Sequence, residues 1–595
     1  MSQFVKFLFA SCLGTALALG LLTFIGFTWL AGLASTATEK EAVSIKPNTI
    51  LELDFKQPIP EKTNNLPMEP FNFENEDVLG LTDMVAAIRR AKEDADIKGI
   101  YLKASFLVAG KATSTTLREA IADFKSSGKF VISYASYYSQ GAYYLASVAD
   151  SILMSPQGAV DFRGYSSMVP FYKGLLDKLD VQMRIFYCGK YKSATESFRL
   201  DKMSAENKLQ TREYLKVLND ILMQDIAASR KIPEAELRQI ADRFDGFSGE
   251  KSVKTGLIDR LAYEDEVYTL IRTKLGLNEK DKLNRVGITD YFKAKDKKLD
   301  FSVKDKIAVI YAEGTIFDGV KGEPGDIYDG EYVKMIRKIR KDDNIKAIVL
   351  RVNSPGGSSL SSDNILRELD LCKQAGKPIV VSMGDVAASG GYFIACHADS
   401  IFAERSTITG SIGVFGLIPI LEKTMRNKLG ITYDTVRTGK YSTFGTPFFD
   451  FSPEESALIQ GRVDGIYADF LNKVATGRKR TPEAINEIAQ GRVWTGQKAK
   501  EIGLVDDIGG LDRALASAAK LAGIEKYRTT EFPRTKTGIE QLIDKFTNKN
   551  DRDDSVKSYL VRQELGEMYP AYKAMQDIRR SKGILARLPF ELITN

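Results

Sequence analysis

The chain has 595 residues, too many for one ordinary hydrophobic core, so two or more domains are expected. Its 84 basic and 78 acidic side chains leave a net charge of +6. That is near balance, and no basic stripe with interleaved aromatics marks a nucleic-acid partner. Four cysteines (Cys12, Cys188, Cys372, Cys396) stand far apart beside a single histidine, His397. They make no metal-ligand spacing, and neither a metal nor a cofactor is expected.

From Phe7 to Ala34 the chain carries no charge. About 20 apolar residues cross a bilayer, whereas the apolar region of a cleaved signal peptide is only about 7–15 residues long. Residues 1–38 are therefore expected to be an uncleaved single-pass anchor, spanning about 7–34. Lys6 and the amino terminus are the clear positive charges before the run. They place the N-terminus in the cytoplasm and the bulk of the chain on the extracytoplasmic side.

Beyond the anchor, strand-like apolar runs alternate with amphipathic helical patterns, an α/β class with parallel strands joined by helices. The pattern repeats. Ile97–Leu102 returns as Ile345–Leu350, and SGKFVISYASYYSQGAYYLASVADSIL (127–153) as AGKPIVVSMGDVAASGGYFIACHADSIF (375–402). GKYKSATESF (189–198) returns as GKYSTFGTPF (439–448), and SGEKSVKTGLIDRL (248–261) as TGQKAKEIGLVDDI (495–508). The offset stays at 247–250 residues, so the chain reads as a tandem duplication. The expected units are a first repeat at 49–290, a charged linker at 291–306, a second repeat at 307–530 and a polar, helical tail at 531–595.

Duplication lets each half serve as the other's comparison. After a strand, the second half has Asn353-Ser354-Pro355-Gly356-Gly357, where the first has Ser105-Phe106-Leu107-Val108-Ala109. A Pro-Gly-Gly turn is either a plain tight turn or one whose unobstructed amides face an oxyanion. Its absence from the first half shows that the fold does not need it. Ser389, at the start of an apolar helix in Ala387-Ala388-Ser389-Gly390-Gly391, corresponds to Gln140. A serine there either caps the helix or attacks a carbonyl, aided by the helix-start amides and by the N–H of Gly390.

A nucleophilic serine needs a base. His397 lies eight residues further along, roughly 12 Å up a helix, and cannot reach it. The third departure is Lys192, which stands where the second half has Ser442. Burial between the repeats would lower its pKa enough for it to act as a base. A Ser389/Lys192 dyad at the junction of the halves is the expectation, within one chain or between two.

RVNSPGG (351–357), AASGGY (387–392), TGSIGVFG (409–416), YKSA (191–194) and GRVWTGQKAK (491–500) together resemble the signal peptide peptidase A (protease IV) family in its long, membrane-anchored form. The resemblance covers nearly the whole chain. It implies a ClpP/crotonase-like spiral of ββα units in each half and peptide-bond hydrolysis without metal or nucleotide. It also implies Ser389 as nucleophile, Lys192 as base, and the backbone of Gly356 and Gly390 as oxyanion donors. Further implications are a ring-like homo-oligomer, a tetramer in the family, and an inner-membrane location with the body in the periplasm. The implied substrates are apolar peptides such as spent signal peptides. TGSIGVFG reads as a glycine-punctuated strand, either an edge for substrate or an internal strand. Two other functions compete: a crotonase-type enzyme acting on acyl thioesters, and a membrane scaffold without chemistry.

Overall fold

A computed structural model describes residues 44–65, 78–295, 302–320, 322, 325–534 and 585–587, with 14, 15, 20 and 21 isolated near the N-terminus. The apolar run from Phe7 to Ala34 lies outside the described residues except at those four positions. Among the described residues no helix is long and apolar enough to cross a membrane.

The first half contributes β1 (Thr49–Asp54), β2 (Ile97–Lys103), β3 (Phe130–Ala135), β4 (Ser151–Met154), β5 (Gln182–Tyr187), β6 (Arg260–Leu261) and β7 (Asn284–Gly287). Six of these form a parallel sheet in the order β6-β4-β3-β2-β1-β7. The second half contributes β8 (Lys306–Glu313), β9 (Ile316–Phe317), β10 (Ile327–Tyr328), β11 (Ile345–Ser354), β12 (Gly356–Ser358), β13 (Ile379–Ala388) and β14 (Ser400–Ala403). It continues with β15 (Ile408–Gly410), β16 (Phe415–Ile420), β17 (Val493–Thr495), β18 (Asp507–Ile508) and β19 (Arg528–Phe532). Its parallel sheet runs β18-β14-β13-β11-β8-β19, the order of the first half strand for strand, and β15 and β17 extend it beyond the end of β13.

Apolar runs such as Ile307–Ala312 are buried on both faces because helices cover both sides of each sheet, as parallel sheets require. Each half also carries one long helix, Ala205–Arg230 and Pro453–Arg478, both 26 residues. Ser204 and Ser452 cap their N-termini, and Lys231 and Lys479 end them in the left-handed conformation.

The ordered repeats overrun the boundaries expected from sequence. Helix Ile288–Ala294 crosses position 290, and β19 crosses position 530 to complete the second sheet. The tail, expected to be polar and helical, contributes a strand, β20 (Leu585–Arg587).

A third sheet joins the halves, in the order β10-β9-β12-β20-β16-β5. In it β5 leaves the first half and pairs antiparallel with β16 of the second, from Tyr187 opposite Phe415 to Gln182 opposite Ile420. This pairing carries the segment after β5, which holds Lys192, onto the second half.

Candidate active site

Ser389 sits between the end of β13 and helix Gly390–Ala395, with φ 55° and ψ −116°. A non-glycine residue at positive φ is strained, and a sharp strand-to-helix turn of this kind projects a nucleophile. The Ser389 N–H donates to the Gly410 carbonyl at 2.8 Å, which pins the turn to β15. Gly391 lies so close to β11 that an added Cβ would stand 2.6 Å from the Ser354 carbonyl oxygen. The helix start is thereby held against the strand that leads into the Pro-Gly-Gly turn.

Lys192 follows β5 in a loop laid along the second half. The Tyr191 N–H donates to the Gln490 carbonyl at 2.9 Å, and Gly189, at φ 98°, passes so close to Gln490 that a side chain there would meet its backbone. Gly413 and Gly491 flank the lysine stem; a Cβ on Gly491 would fall 2.6 Å from the Lys192 Cβ. Glycines thus clear a channel for the alkyl chain.

The Lys192 Nζ ends 2.9 Å from the Ser389 Oγ of the same chain, 3.0 Å from the Ser411 Oγ and 3.1 Å from the Ser411 carbonyl oxygen. Lys192 is 1% exposed, and Ser389 and Ser411 are fully buried. Burial alone pushes the amine well below the ordinary lysine value, with no charged neighbour contributing. A neutral amine has two N–H groups and one lone pair. The two oxygens of Ser411 can accept the N–H groups, which leaves the lone pair for the Ser389 O–H. The three contacts suit the ammonium, which has three donors, and also this neutral form, which burial favours.

Gly356 begins β12 at φ 96°, and its N–H donates to the Ser354 Oγ at 3.1 Å. Gly390 opens its helix, so its amide belongs to the first turn, which lacks intrahelical acceptors. His397 turns away from the dyad: its Nδ1 lies 2.9 Å from Asp370 Oδ1 and its Nε2 3.0 Å from the Lys473 carbonyl oxygen. It holds helices together.

Two features escaped sequence reasoning. Ser411 had a signal, since its counterpart in the first half is Phe162. The other is a cross-half pair beneath the site. Arg351, on β11, places its Nε 2.9 Å and an Nη 3.0 Å from the Glu61 carboxylate, and its other Nη 2.8 Å from the Ser382 Oγ on β13. Asp385 adds a second tie, accepting from the Thr113 N–H at 3.0 Å and its hydroxyl at 2.6 Å.

The profile of peptidase family S49 matches residues 123–278 and 372–525, just over half of the chain. Lys192 falls in the first stretch and Ser389 in the second, while Gly356 lies outside both. Protease 4 of Salmonella typhi is 38% identical over 481 residues, covering 78% of this chain and 76% of its own. Protease 4 of Haemophilus influenzae is 35% identical, covering 74% and 72%. The chloroplastic serine protease SPPA of Arabidopsis thaliana is 33% identical, covering 78% and 69%. A solved ClpP1 mutant of Listeria monocytogenes overlays 35% of the chain and 94% of its own with a TM-score of 0.24 and 15% identity.

Proposed function

The chain belongs to peptidase family S49 and is a serine peptidase, and from that premise we propose that Ser389 is its nucleophile and Lys192 its general base. The observation that carries this reading is the 2.9 Å contact between Lys192 Nζ and Ser389 Oγ in a buried site. The neutral amine takes the Ser389 proton as Oγ attacks the scissile carbonyl, and the ammonium then returns it to the leaving amine. Water, activated by the same amine, hydrolyses the acyl-enzyme. The backbone N–H groups of Gly356 and Gly390 hold the oxyanion, with the Gly356 amide leaving the Ser354 hydroxyl to do so.

The substrates are short apolar peptides in extended form, among them spent signal peptides. Residues 1–38 anchor the chain in the inner membrane through the run at about 7–34, with the catalytic body in the periplasm. Each repeat is a ClpP/crotonase-like unit. The expected result is hydrolysis of an unfolded casein peptide, without coenzyme A or metal, and fluorophosphonate labelling that Ser389→Ala abolishes. Turnover of an acyl thioester in place of peptide would favour the crotonase-type reading, and absence of both labelling and turnover the scaffold.

Internal asymmetry supports a homo-oligomer. Phe186 on β5 is buried against Phe451, but its counterpart 250 residues on, Val436, is fully exposed. Leu417 on β16 has the counterpart Met168, 87% exposed. The second half therefore presents a free arm and the first half a free acceptor edge. Repeating the internal docking between copies gives a head-to-tail contact that closes into a ring, with four subunits proposed. Val436→Asp or Met168→Asp is expected to reduce the sedimenting species to monomer; an unchanged oligomer, or a monomeric parent protein, would reject this contact.

A further inference from the structure

The third sheet has a feature that catalysis by the dyad does not require. Without β20, the sheet would fall into two pieces, β10-β9-β12 and β16-β5, whose edges face each other across a gap one strand wide. Neighbouring strands lie about 4.8 Å apart, so such a gap accepts an extended backbone and little else. One wall, β12, continues directly from the Pro-Gly-Gly turn, and the other, β16, begins at Phe415, whose ring centroid lies 6.0 Å from Lys192 Nζ. The gap opens beside the dyad.

The chain fills it with its own C-terminal segment. Leu585–Arg587 runs antiparallel to β12, with Leu585 opposite Ser358, Ala586 opposite Gly357 and Arg587 opposite Gly356. It also runs antiparallel to β16, with Leu585 opposite Phe415. The Leu585 side chain is 6% exposed and clusters with Phe415 and with Ala194, two residues beyond Lys192. An apolar side chain is thus seated next to the reacting groups while main-chain pairing on both sides holds the strand.

We infer that Leu585–Arg587 is a built-in occupant of the substrate groove, which competes with added peptide and places Leu585 in an apolar subsite between Ala194 and Phe415. The inference rests on the peptidase reading for its meaning, but its test can be read by binding alone. A tethered segment is present at an effective concentration of about millimolar order, so a free peptide must displace it.

The probe is a fluorescent peptide of the sequence Gly583–Pro589. It is titrated against Ser389→Ala protein in three forms: full chain, chain ending at Lys582, and full chain carrying Leu585→Asp. The shortened and Leu585→Asp forms are expected to bind it at least tenfold more tightly than the full chain, and a Leu585→Asp peptide to bind none of them. In the active enzyme, the same two changes should lower KM for an apolar peptide severalfold and leave kcat unchanged. Equal binding by all three forms would overturn the occupant. Tight binding to the shortened and Leu585→Asp forms in a protein without turnover would sustain it while rejecting the peptidase mechanism.

Discussion

Lys192→Ala and Lys192→Arg are each expected to lower kcat on a fluorogenic apolar peptide by about 10²–10⁴-fold, the span of a positioned general base. Arginine keeps a cation in place but cannot surrender its proton, so it should rescue nothing. His397→Ala, which removes contacts to Asp370 and Lys473, should cost about 1 kcal/mol of stability and leave kcat unchanged. The rate of the parent enzyme should rise with pH along one limb whose midpoint lies well below the ordinary lysine value, because burial favours the neutral amine.

The same burial has a cost in stability. A lysine whose pKa falls on folding binds fewer protons in the native state, so its penalty is full below the folded pKa and fades as pH rises toward the ordinary value. Lys192→Met should therefore be inactive yet more stable than the parent at neutral pH, with the gain shrinking in alkali. Full turnover by Lys192→Arg, or loss of turnover in a folded His397→Ala protein, would reject the dyad.

Glu61→Ala should destabilise the protein by about 3–5 kcal/mol, the cost of leaving one member of a buried ion pair alone. Both partners are almost wholly buried, with side-chain exposures of 3% for Arg351 and 2% for Glu61. Arg351 also braces β13 through Ser382 and the Met383 carbonyl, so the strand that leads into Ser389 should lose its register and activity should fall with stability. Replacing both partners, as Glu61→Leu with Arg351→Met, should recover most of the unfolding midpoint, since buried pairs are often matched by apolar packing.

Glu313 gives this prediction a pH signature. Its carboxyl accepts from the Glu61 N–H at 2.9 Å and from Asn65 at 2.6 Å, and burial, with the Glu61 charge second, pushes it up to about 8. A raised folded pKa means that stability falls as pH rises between about 4.5 and about 8. Glu313→Gln should flatten that slope. If Glu61→Ala unfolds at the midpoint of the parent protein, the cross-half pair does not hold the site.

Much of this molecule could be read along the chain because the signals are local or repeat. Alternating strand and helix patterns marked an α/β chain, and a constant offset marked the duplication, which the matching strand orders of the two sheets extend from sequence to topology. Ser389 and Lys192 stood out because each departs from its counterpart in the other half and carries the chemistry the other half lacks. Tertiary structure alone decided which edges meet. Lys192 and Ser389, 197 residues apart, touch within one chain because β5 crosses to pair with β16, and an open strand edge does not specify its partner in sequence. For the same reason Glu61 could not be assigned to Arg351, or Leu585 to the gap beside β12. Burial, which lowers the pKa of Lys192 and shuts the Arg351–Glu61 pair away from water, is a property of the assembled halves and of no segment by itself.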